Sequence, residues 1–178
     1  MKILLHICCA VCATSCLEKL RQENHEVSGY FYNPNIQPSE EYLKRLGDTK
    51  EFARQENFPL IVGDYEVDQW LKQIKGLEIE PEGGRRCLRC FQLRLRKTAK
   101  LARQNSFDSF TTTLTVSPHK NAKMINEIGH DLGDNLFLER DFKKQDGFKK
   151  AQELAKRYNL YHQDYCGCTY GLNQKQKR

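Results

Sequence analysis

Cysteine is the residue type whose spacing in this sequence most clearly indicates chemistry. The 178 residues include eight cysteines, which fall into three groups. The groups are Cys8, Cys9, Cys12 and Cys16, then Cys87 and Cys90, and finally Cys166 and Cys168. Clustered cysteines are typical of metal ligands or redox catalysts in a reducing compartment, whereas disulfide scaffolds are secreted and usually shorter.

Two of the groups occupy positions where a thiol ionises easily. Cys8 and Cys9 follow an apolar run, so we expect them where a strand ends and a helix begins. Cys87 and Cys90 lie in a second predicted helix, close to Arg86 and other arginines. Backbone amides, the helix dipole and nearby cations all favour the thiolate. The four thiolates together would suit a zinc ion or an iron–sulfur cluster.

The adjacent pair of cysteines favours a cluster over zinc. Zinc sites usually draw each ligand pair from residues two to four apart, because neighbouring side chains of an extended chain point to opposite faces. A four-iron cluster spreads its ligand sites more widely, so a loop can present neighbours to different irons. A zinc site remains an alternative, because Cys9, Cys12, Cys87 and Cys90 form two regularly spaced ligand pairs.

The remaining cysteines predict other roles. Cys166 and Cys168 flank a glycine, so they could close a small strained disulfide of the labile, catalytic kind, or ligate a metal. Cys12 is either a third ligand or a reserve thiol. Cys16 lies one helical turn beyond Cys12, and we expect it simply to be buried.

Other polar residues carry weaker signals. His6 alternates with strand core residues and is expected to be a satisfied core histidine. His119, beside Lys120, lies at a predicted strand end, where it could meet a substrate. Asn33 and Asn35 are expected to make turns.

An α/β domain must position these residues. Apolar and aromatic runs predict strands, and amphipathic stretches between them predict helices. Strands are expected at 2–7, 26–32, 58–63 and 107–116, with a short edge strand at 135–142. Helices are expected at 14–24, 39–56, 67–74, 87–104, 122–132 and 147–160, the first capped by Thr14 or Ser15. The alternation indicates a mainly parallel sheet, with functional residues beyond the carboxyl ends of its strands.

Residues 1–178 are expected to form one such domain, since no repeat or linker divides them. A cysteine-bearing segment at about 160–171 and a basic tail at 172–178 follow the main elements. Hydrophobic residues make up 39% of the sequence, which is enough for a core. The sequence contains no run of about 18 apolar residues, so it predicts no membrane-spanning helix. The N-terminal residues turn polar too quickly for a signal peptide, so we expect a soluble, cytoplasmic protein.

The charge distribution indicates a polyanionic partner. The formal net charge is +6, and residues 85–100 hold seven Lys or Arg and no acid. A solvated helix face would also explain this segment, but the interleaved cysteine pair favours a surface that meets nucleic acid. The expected phosphate contacts are Arg85, Arg86, Arg89, Arg94 and Arg96, and the stacking candidates are Tyr30, Tyr32 and Phe91, with Phe91 expected in the core.

Five stretches together resemble the cobalamin-independent epoxyqueuosine reductases. They are HICCAVC, YNPNIQPSEEYLKR, EGGRRCLRCFQLRL, FTTTLTVSPHKN, and the closing LERDFKKQDGF with LYHQDYCGCTYG. The resemblance runs in order from residue 3 to about 171. The family's first motif typically reads CCAPC, and Val11 stands here in place of proline, which changes loop stiffness and not a ligand.

The resemblance implies a reductase that removes the epoxide oxygen of epoxyqueuosine, a modified guanosine at the wobble position of certain transfer RNAs. This is the last step in making queuosine. The implied fold is a three-layer α/β domain similar to the adenine-nucleotide hydrolase type (HUP-type). The implied partners are transfer RNA and an unidentified electron donor, with no membrane. The implied groups are a [4Fe-4S] cluster on Cys8, Cys9, Cys87 and Cys90, an additional iron ion, and a redox-active pair formed by Cys166 and Cys168.

Three functions fit the sequence. The first is an iron–sulfur reductase, with Cys12, His119 and Asp141 as candidates for proton delivery. The second is a non-catalytic, zinc-containing nucleic-acid-binding protein. The third is a metal-free thiol–disulfide oxidoreductase, which leaves the adjacent Cys8–Cys9 pair unexplained. Iron, sulfide and zinc content separates the three.

Overall fold

Four parallel strands form a single sheet in the computed structural model, which describes the backbone of residues 1–176 and the side chains of residues 1–172. The expected basic tail at 172–178 therefore lies mostly outside the described side chains. The strands are β1 (Lys2–His6), β2 (Glu26–Phe31), β3 (Leu60–Val62) and β4 (Ser109–Thr112), in the order β3-β2-β1-β4. The expected α/β class with a mainly parallel sheet is confirmed.

Seven helices cover the two faces of this sheet in the described part of the chain. They are α1 (Ala10–Gln22), α2 (Ser39–Gln55), α3 (Val67–Ile74), α4 (Arg85–Gln104), α5 (Ala122–Gly133), α6 (Gly147–Arg157) and α7 (Thr169–Gln176). None of them is long and apolar enough to span a bilayer. Helices α1, α2 and α6 share one hydrophobic core, and α3, α4 and α5 share the other. The expected three-layer arrangement follows from this division.

The central strand supplies both cores. Ile3 and Leu5 of β1 point to the side of α1, α2 and α6, and Leu4 points to the opposite side. All three are fully buried, as the period-two alternation of a strand requires when both faces are covered. Each such side chain contributes about 1.5–3 kcal/mol by its burial.

The strand order creates a crevice beside β1. The chain runs from β1 to β2 to β3 in one direction across the sheet, and then returns to place β4 on the other side of β1. The segments that follow β1 and β4 therefore diverge to opposite faces. Parallel sheets bind ligands at such a switch point, beyond the carboxyl ends of the strands.

The first helix begins four residues earlier than expected. Helix α1 starts at Ala10, directly after Cys9, whose backbone is extended and whose side chain makes no capping hydrogen bond. Thr14 and Ser15, expected as caps, are buried inside the helix, and the Thr14 hydroxyl donates to the carbonyl of Val11 at 2.9 Å. The prediction failed because the thiols, which are poor caps, occupy the first turn.

Two expectations for the second half of the chain were also wrong. No strand forms at 135–142, where a 3-10 turn (Asp134–Leu136) and a single bridge between Phe137 and Phe110 stand instead. The Phe137 ring packs on Phe110 at 5.2 Å between centroids, so the segment is held by side-chain packing and not by strand pairing. The chain after Cys168, where the sequence predicted no helix, forms helix α7.

Two glycines are expected to respond in opposite directions to alanine. A Cβ at Gly147 would lie 1.8 Å from the Phe142 carbonyl oxygen, whereas a Cβ at Gly47 would meet nothing within 4 Å. Gly147→Ala should destabilise the protein by about 1–3 kcal/mol, because the backbone must shift to admit the methyl group. Gly47→Ala should stabilise it by about 0.5–1 kcal/mol, as expected for an exposed helix interior. Urea unfolding of both variants measures the difference, and equal midpoints would contradict this packing.

Candidate active site

The first cysteine group lies at the switch point. Cys8 follows β1, and Thr113 follows β4 as the first residue of a 3-10 turn. The Cys8 amide donates to the Thr113 hydroxyl at 3.1 Å, and that hydroxyl donates to the Cys8 sulfur at 3.3 Å. The Thr113 hydroxyl thus links the end of β1 to the end of β4. Sequence reasoning missed Thr113, whose only signal was its place at the end of a threonine-rich strand.

Three thiols of this group converge. The sulfurs of Cys8, Cys9 and Cys12 all lie within 4.8 Å of one another, and the Cys8 and Cys9 sulfurs are 3.8 Å apart. Cys12 reaches the adjacent pair because it lies in the first turn of α1, three residues after Cys9. The expected divergence of neighbouring cysteines does not occur, because the chain leaves the extended conformation immediately after Cys9.

Cys16 lies apart from this group. It is fully buried in the core between α1 and its neighbours, and burial raises the pKa of its thiol well above the usual value. The expectation that Cys16 is simply buried is confirmed.

The three cysteine groups open into one cleft made of two adjoining cavities. Cys8 and Cys12 line a cavity of about 330 Å³. Cys87, Cys90 and Cys168 line a smaller one of about 40 Å³. The residues that line both cavities are Glu82, Arg94, His119, Lys120 and Cys166. The tertiary structure therefore brings together groups about 80 residues apart in the chain, around shared cationic side chains.

One face of α4 points into this cleft. Arg86, Cys90 and Arg94 recur every four residues and are all buried. Arg94 donates to Asn33 at 2.6 Å, and Asn33 donates to the Ile7 carbonyl at 2.9 Å. Asn33 thus does more than make a turn, since it fixes Arg94 beside the strand end.

Buried Arg45 of α2 holds the C-terminal cysteines in place. Its guanidinium donates to the carbonyls of Tyr165 at 3.1 Å and Cys166 at 3.4 Å, and its Nε pairs with Glu41 at 2.6 Å. The Gln37 amide donates to the Gly167 carbonyl at 2.7 Å. Sequence reasoning missed Arg45, since an arginine beside a glutamate four residues earlier usually marks an exposed helix face.

The cleft favours negative charge on Cys8. Hydrogen bonds from the thiols of Cys12 and Cys9, with Lys120 and Arg94 nearby, hold the pKa of Cys8 well below its usual value despite burial. The Cys12 thiol donates a hydrogen bond to the Cys8 sulfur, and this raises the pKa of Cys12 well above its usual value. Burial lowers the pKa of Lys120, but the nearby sulfurs of Cys8, Cys12 and Cys166 outweigh it and raise the pKa.

The C-terminal pair is polarised in the same way. A hydrogen bond from the Cys168 thiol lowers the pKa of Cys166 to about 6, and Lys120 favours the same thiolate. Donation to Cys166 raises the pKa of Cys168 above its usual value. Of the two thiols, Cys166 therefore has more thiolate character and Cys168 holds its proton more strongly.

Alkylation of reduced, metal-free protein should show that Cys166 reacts well below the pH at which an ordinary thiol does. A thiol with a pKa of about 6 is mostly thiolate at pH 7, so its reaction with iodoacetamide should rise through pH 6 and level off above pH 7. Buried Cys16 serves as the unreactive internal reference. Peptide mass spectrometry from pH 5 to 8 measures each site. Reactivity of Cys166 that keeps rising up to pH 8 would contradict the polarised pair.

Unpartnered polar atoms concentrate around the cleft. Among the described residues, ten buried side-chain nitrogen or oxygen atoms lack a hydrogen-bond partner, and six of them belong to residues that line the two cavities. Four of these six are N–H donors. The donors are Trp70 Nε1, Arg86 Nε, Arg86 Nη2 and Arg94 Nε, and the acceptors are Asn35 Oδ1 and Gln163 Oε1. Buried donors without acceptors indicate that the cleft is shaped for a group that accepts hydrogen bonds.

The structure confirms the expected burial of two residues and separates two candidate proton donors, His119 and Asp141. His6 is a satisfied core histidine, as expected, bonded to Thr112 at 2.8 Å. Phe91 is buried, also as expected. His119 is exposed and lines the cleft, whereas Asp141 does not line either cavity and lies 3.6 Å from Lys143.

The proposed nucleic-acid contacts need correction. Arg86 and Arg94 are 1% and 3% exposed, so they cannot reach phosphates. Tyr30 and Tyr32 are likewise buried and cannot stack on bases. Sequence reasoning went wrong because α4 turns its arginines to two different faces. Arg85, Arg89 and Arg96 stay exposed.

Comparisons with known proteins identify a family and several relatives of this chain. A family model described as "Epoxyqueuosine reductase QueH" matches residues 3–174. A protein of that name from Streptococcus pyogenes serotype M1 is 42% identical over 182 residues, which cover 97% of this chain and 71% of the relative. One from Haemophilus influenzae is 38% identical over 99% of this chain and 74% of its own length. One from Thermotoga maritima is 33% identical over 99% of this chain and 93% of its own length.

Proposed function

This chain belongs to the epoxyqueuosine reductase QueH family, and we propose that it removes the epoxide oxygen of epoxyqueuosine in transfer RNA, the last step of queuosine synthesis. The observation that carries the proposal is the cleft into which three cysteine groups open. Thiols supply electrons and protons, and the cations among them can stabilise negative charge that develops on a departing oxygen.

The C-terminal cysteines can balance the reaction. Conversion of an epoxide to an alkene consumes two electrons and two protons and releases the oxygen as water. A dithiol that closes a disulfide gives up two electrons and two protons, so one pair suffices for one turnover. We assign this role to Cys166 and Cys168. Their polarised pKa values and the position of Cys166 in both cavities support the assignment.

We further propose that an iron–sulfur cluster binds in this cleft. The unpartnered donors of Trp70, Arg86 and Arg94 could bond to cluster sulfides or ligand sulfurs, and Arg94 and Lys120 would offset the negative charge of such a group. When bound, a cluster would supply electrons one at a time. Its proposed ligands are Cys8, Cys9, Cys87 and Cys90.

Proton delivery falls to side chains that line the cleft. Cys12 is 8% exposed and keeps its proton because it donates to Cys8. His119 is exposed at the rim, where it could pass protons from solvent. Asp141 is not part of this proposal, because it lies away from both cavities.

The macromolecular partner follows from the same proposal. Transfer RNA carries epoxyqueuosine in its anticodon loop, where single-stranded bases can be splayed out. Exposed Arg85, Arg89 and Arg96 of α4 are the basic residues of the expected segment that could still meet its phosphates. We propose a cytoplasmic location, where transfer RNA is modified, and an electron donor that renews the thiols.

The converging triad favours a second candidate function. Cys8, Cys9 and Cys12 present three sulfurs within 4.8 Å of one another, a spacing that one metal ion could satisfy. Thiolate sulfurs suit zinc as well as iron. In a zinc-containing nucleic-acid-binding protein that triad would hold a structural zinc ion, and Cys166 and Cys168 would have no catalytic role.

One experiment separates the candidates. Protein purified and reconstituted without oxygen is analysed for iron, sulfide and zinc, and is then given transfer RNA that carries epoxyqueuosine. The reductase proposal expects about four irons or more with matching sulfide, and conversion to queuosine seen by mass spectrometry of the nucleosides. One zinc per chain, no sulfide and no conversion would overturn it in favour of the zinc-containing protein.

A further inference from the structure

We propose that Phe148 is the stacking surface for the modified base in the larger cavity. This inference rests on the proposed function, because it assumes that the cavity receives a nucleobase. It adds a residue that positions the substrate, on a helix that carries no cysteine.

Phe148 marks the open side of the cavity. It lines the same cavity of about 330 Å³ as Cys8, Cys12 and Cys166. Its side chain is 36% exposed, whereas Cys12 is only 8% exposed. A ligand that enters from solvent therefore meets the ring on its way to the thiols. The volume lies within the range of roughly 300–1,000 Å³ that small-molecule sites occupy.

The position of Phe148 is held firmly by the backbone. Phe148 is the second residue of α6, and Gly147 before it packs so closely on the Phe142 carbonyl that no Cβ fits. Ala151 and Ala155 bury the same helix against the core shared with α1. An aromatic ring on a fixed helix turn loses little entropy when a base stacks on it.

The other rings near the cleft are already engaged. Tyr165 also lines the cavity, but its hydroxyl donates to the Gln37 carbonyl at 2.5 Å and Arg45 lies over its ring. Tyr32 is buried and donates to Glu66. Within the described residues, the ring of Phe148 has no aromatic or cationic partner. Phe148 therefore has a ring face available to a base.

A second group in the cavity points to the same ligand. The amide nitrogen of Gln163 donates to the Cys9 sulfur at 2.9 Å, and its buried amide oxygen has no partner among the described residues. A buried acceptor without a donor is costly unless a ligand supplies one. Modified guanosines carry N–H and O–H donors. The cavity thus offers an apolar face on its solvent side and an acceptor beside the thiols.

Steady-state kinetics on transfer RNA that carries epoxyqueuosine test the role of the ring. We expect Phe148→Ala to lower kcat/KM at least about 10-fold, mostly through KM, because base stacking on an aromatic side chain is lost. Phe148→Tyr should retain most of the wild-type value. Leu43→Ala is the matched control, since Leu43 is 61% exposed on α2 and lines neither cavity. Iron content and thermal unfolding should match the wild type in all three variants.

A fluorescence measurement tests stacking without turnover. Phe148→Trp places an indole at the cavity entrance, and the native Trp70 is fully buried. Transfer RNA that carries epoxyqueuosine should quench this emission much more strongly than the same transfer RNA with unmodified guanosine. Leu43→Trp, the control, should respond equally to both.

The outcomes separate the inference from the proposed function. Wild-type kcat/KM in Phe148→Ala, or the same loss in the alanine and tyrosine variants, overturns the stacking role. Equal quenching of Phe148→Trp by both transfer RNAs overturns it as well. Absence of turnover by the wild-type protein overturns the proposed function instead, while selective quenching would still support a base-binding cavity.

Discussion

Replacement of Cys87 by alanine should remove most of the bound iron and sulfide and lower the rate of epoxyqueuosine reduction at least about 100-fold, because a four-iron cluster needs all of its thiolate ligands. Cys87 lies on the first turn of α4, where its side chain lines the smaller cavity. Its loss should leave the fold intact, since the thiol is only partly buried. Iron and sulfide analysis after anaerobic reconstitution measures the effect.

Two further variants complete this test. Cys16→Ala is the control, because Cys16 is fully buried and lines neither cavity, so its loss should leave the iron content unchanged at a stability cost of about 1 kcal/mol. Cys12→Ala decides between the two sets of sulfurs. If the ligands are Cys8, Cys9, Cys87 and Cys90, the cluster survives in this variant. If metal instead leaves Cys12→Ala and stays in Cys87→Ala, the converging triad is the metal site and the proposed ligand set is wrong.

Replacement of Cys166 by serine should abolish repeated turnover while iron and sulfide stay at the wild-type level. The expected loss of rate is at least about 100-fold, because a serine hydroxyl neither forms the disulfide nor carries negative charge near neutral pH. Cys168→Ser should lose the same two-electron step, since both sulfurs form the bond. Turnover assays and metal analysis on the same preparations measure the two effects separately.

The backbone around the pair supplies a control for this second prediction. Arg45 donates to the carbonyls of Tyr165 and Cys166 and not to either thiol. Arg45→Lys keeps the buried charge and should retain partial turnover, with an intact thiol pair by mass spectrometry. Full turnover in either serine variant would show that the electrons come from elsewhere, and loss of iron in both would make the pair metal ligands.

The sequence determined the class of fold because the fold depends on local pattern. Apolar strands alternating with amphipathic helices predicted a parallel sheet, and α3 was placed at 67–74, where the structure has Val67–Ile74. It also placed HICCAVC and SPHKN near strand ends. The conformation of residues 135–142 could not be predicted from the sequence, because the packing of Phe137 on Phe110 joins residues distant in the chain.

The residue types of the candidate site were likewise visible in the sequence. Grouped cysteines indicated metal or redox chemistry, and burial of Cys16 followed from its helical spacing. Composition alone could not tell which arginines face solvent. Arg86 and Arg94 share the buried face of α4 with Cys90, whereas Arg85 lies on the exposed face. That division depends on how the helix is rotated against the sheet.

Only the tertiary structure decided how the three cysteine groups meet. The switch point between β1 and β4 brings Cys8 to the same cleft as Cys166, with Lys120 as a charged neighbour of both. The same geometry places Phe148 at the entrance, whereas the sequence predicted only that it lies in a helix at 147–160. The physical reason is that spacing along a chain fixes which residues share a turn or a strand, while contacts between distant segments depend on the packing of the whole domain.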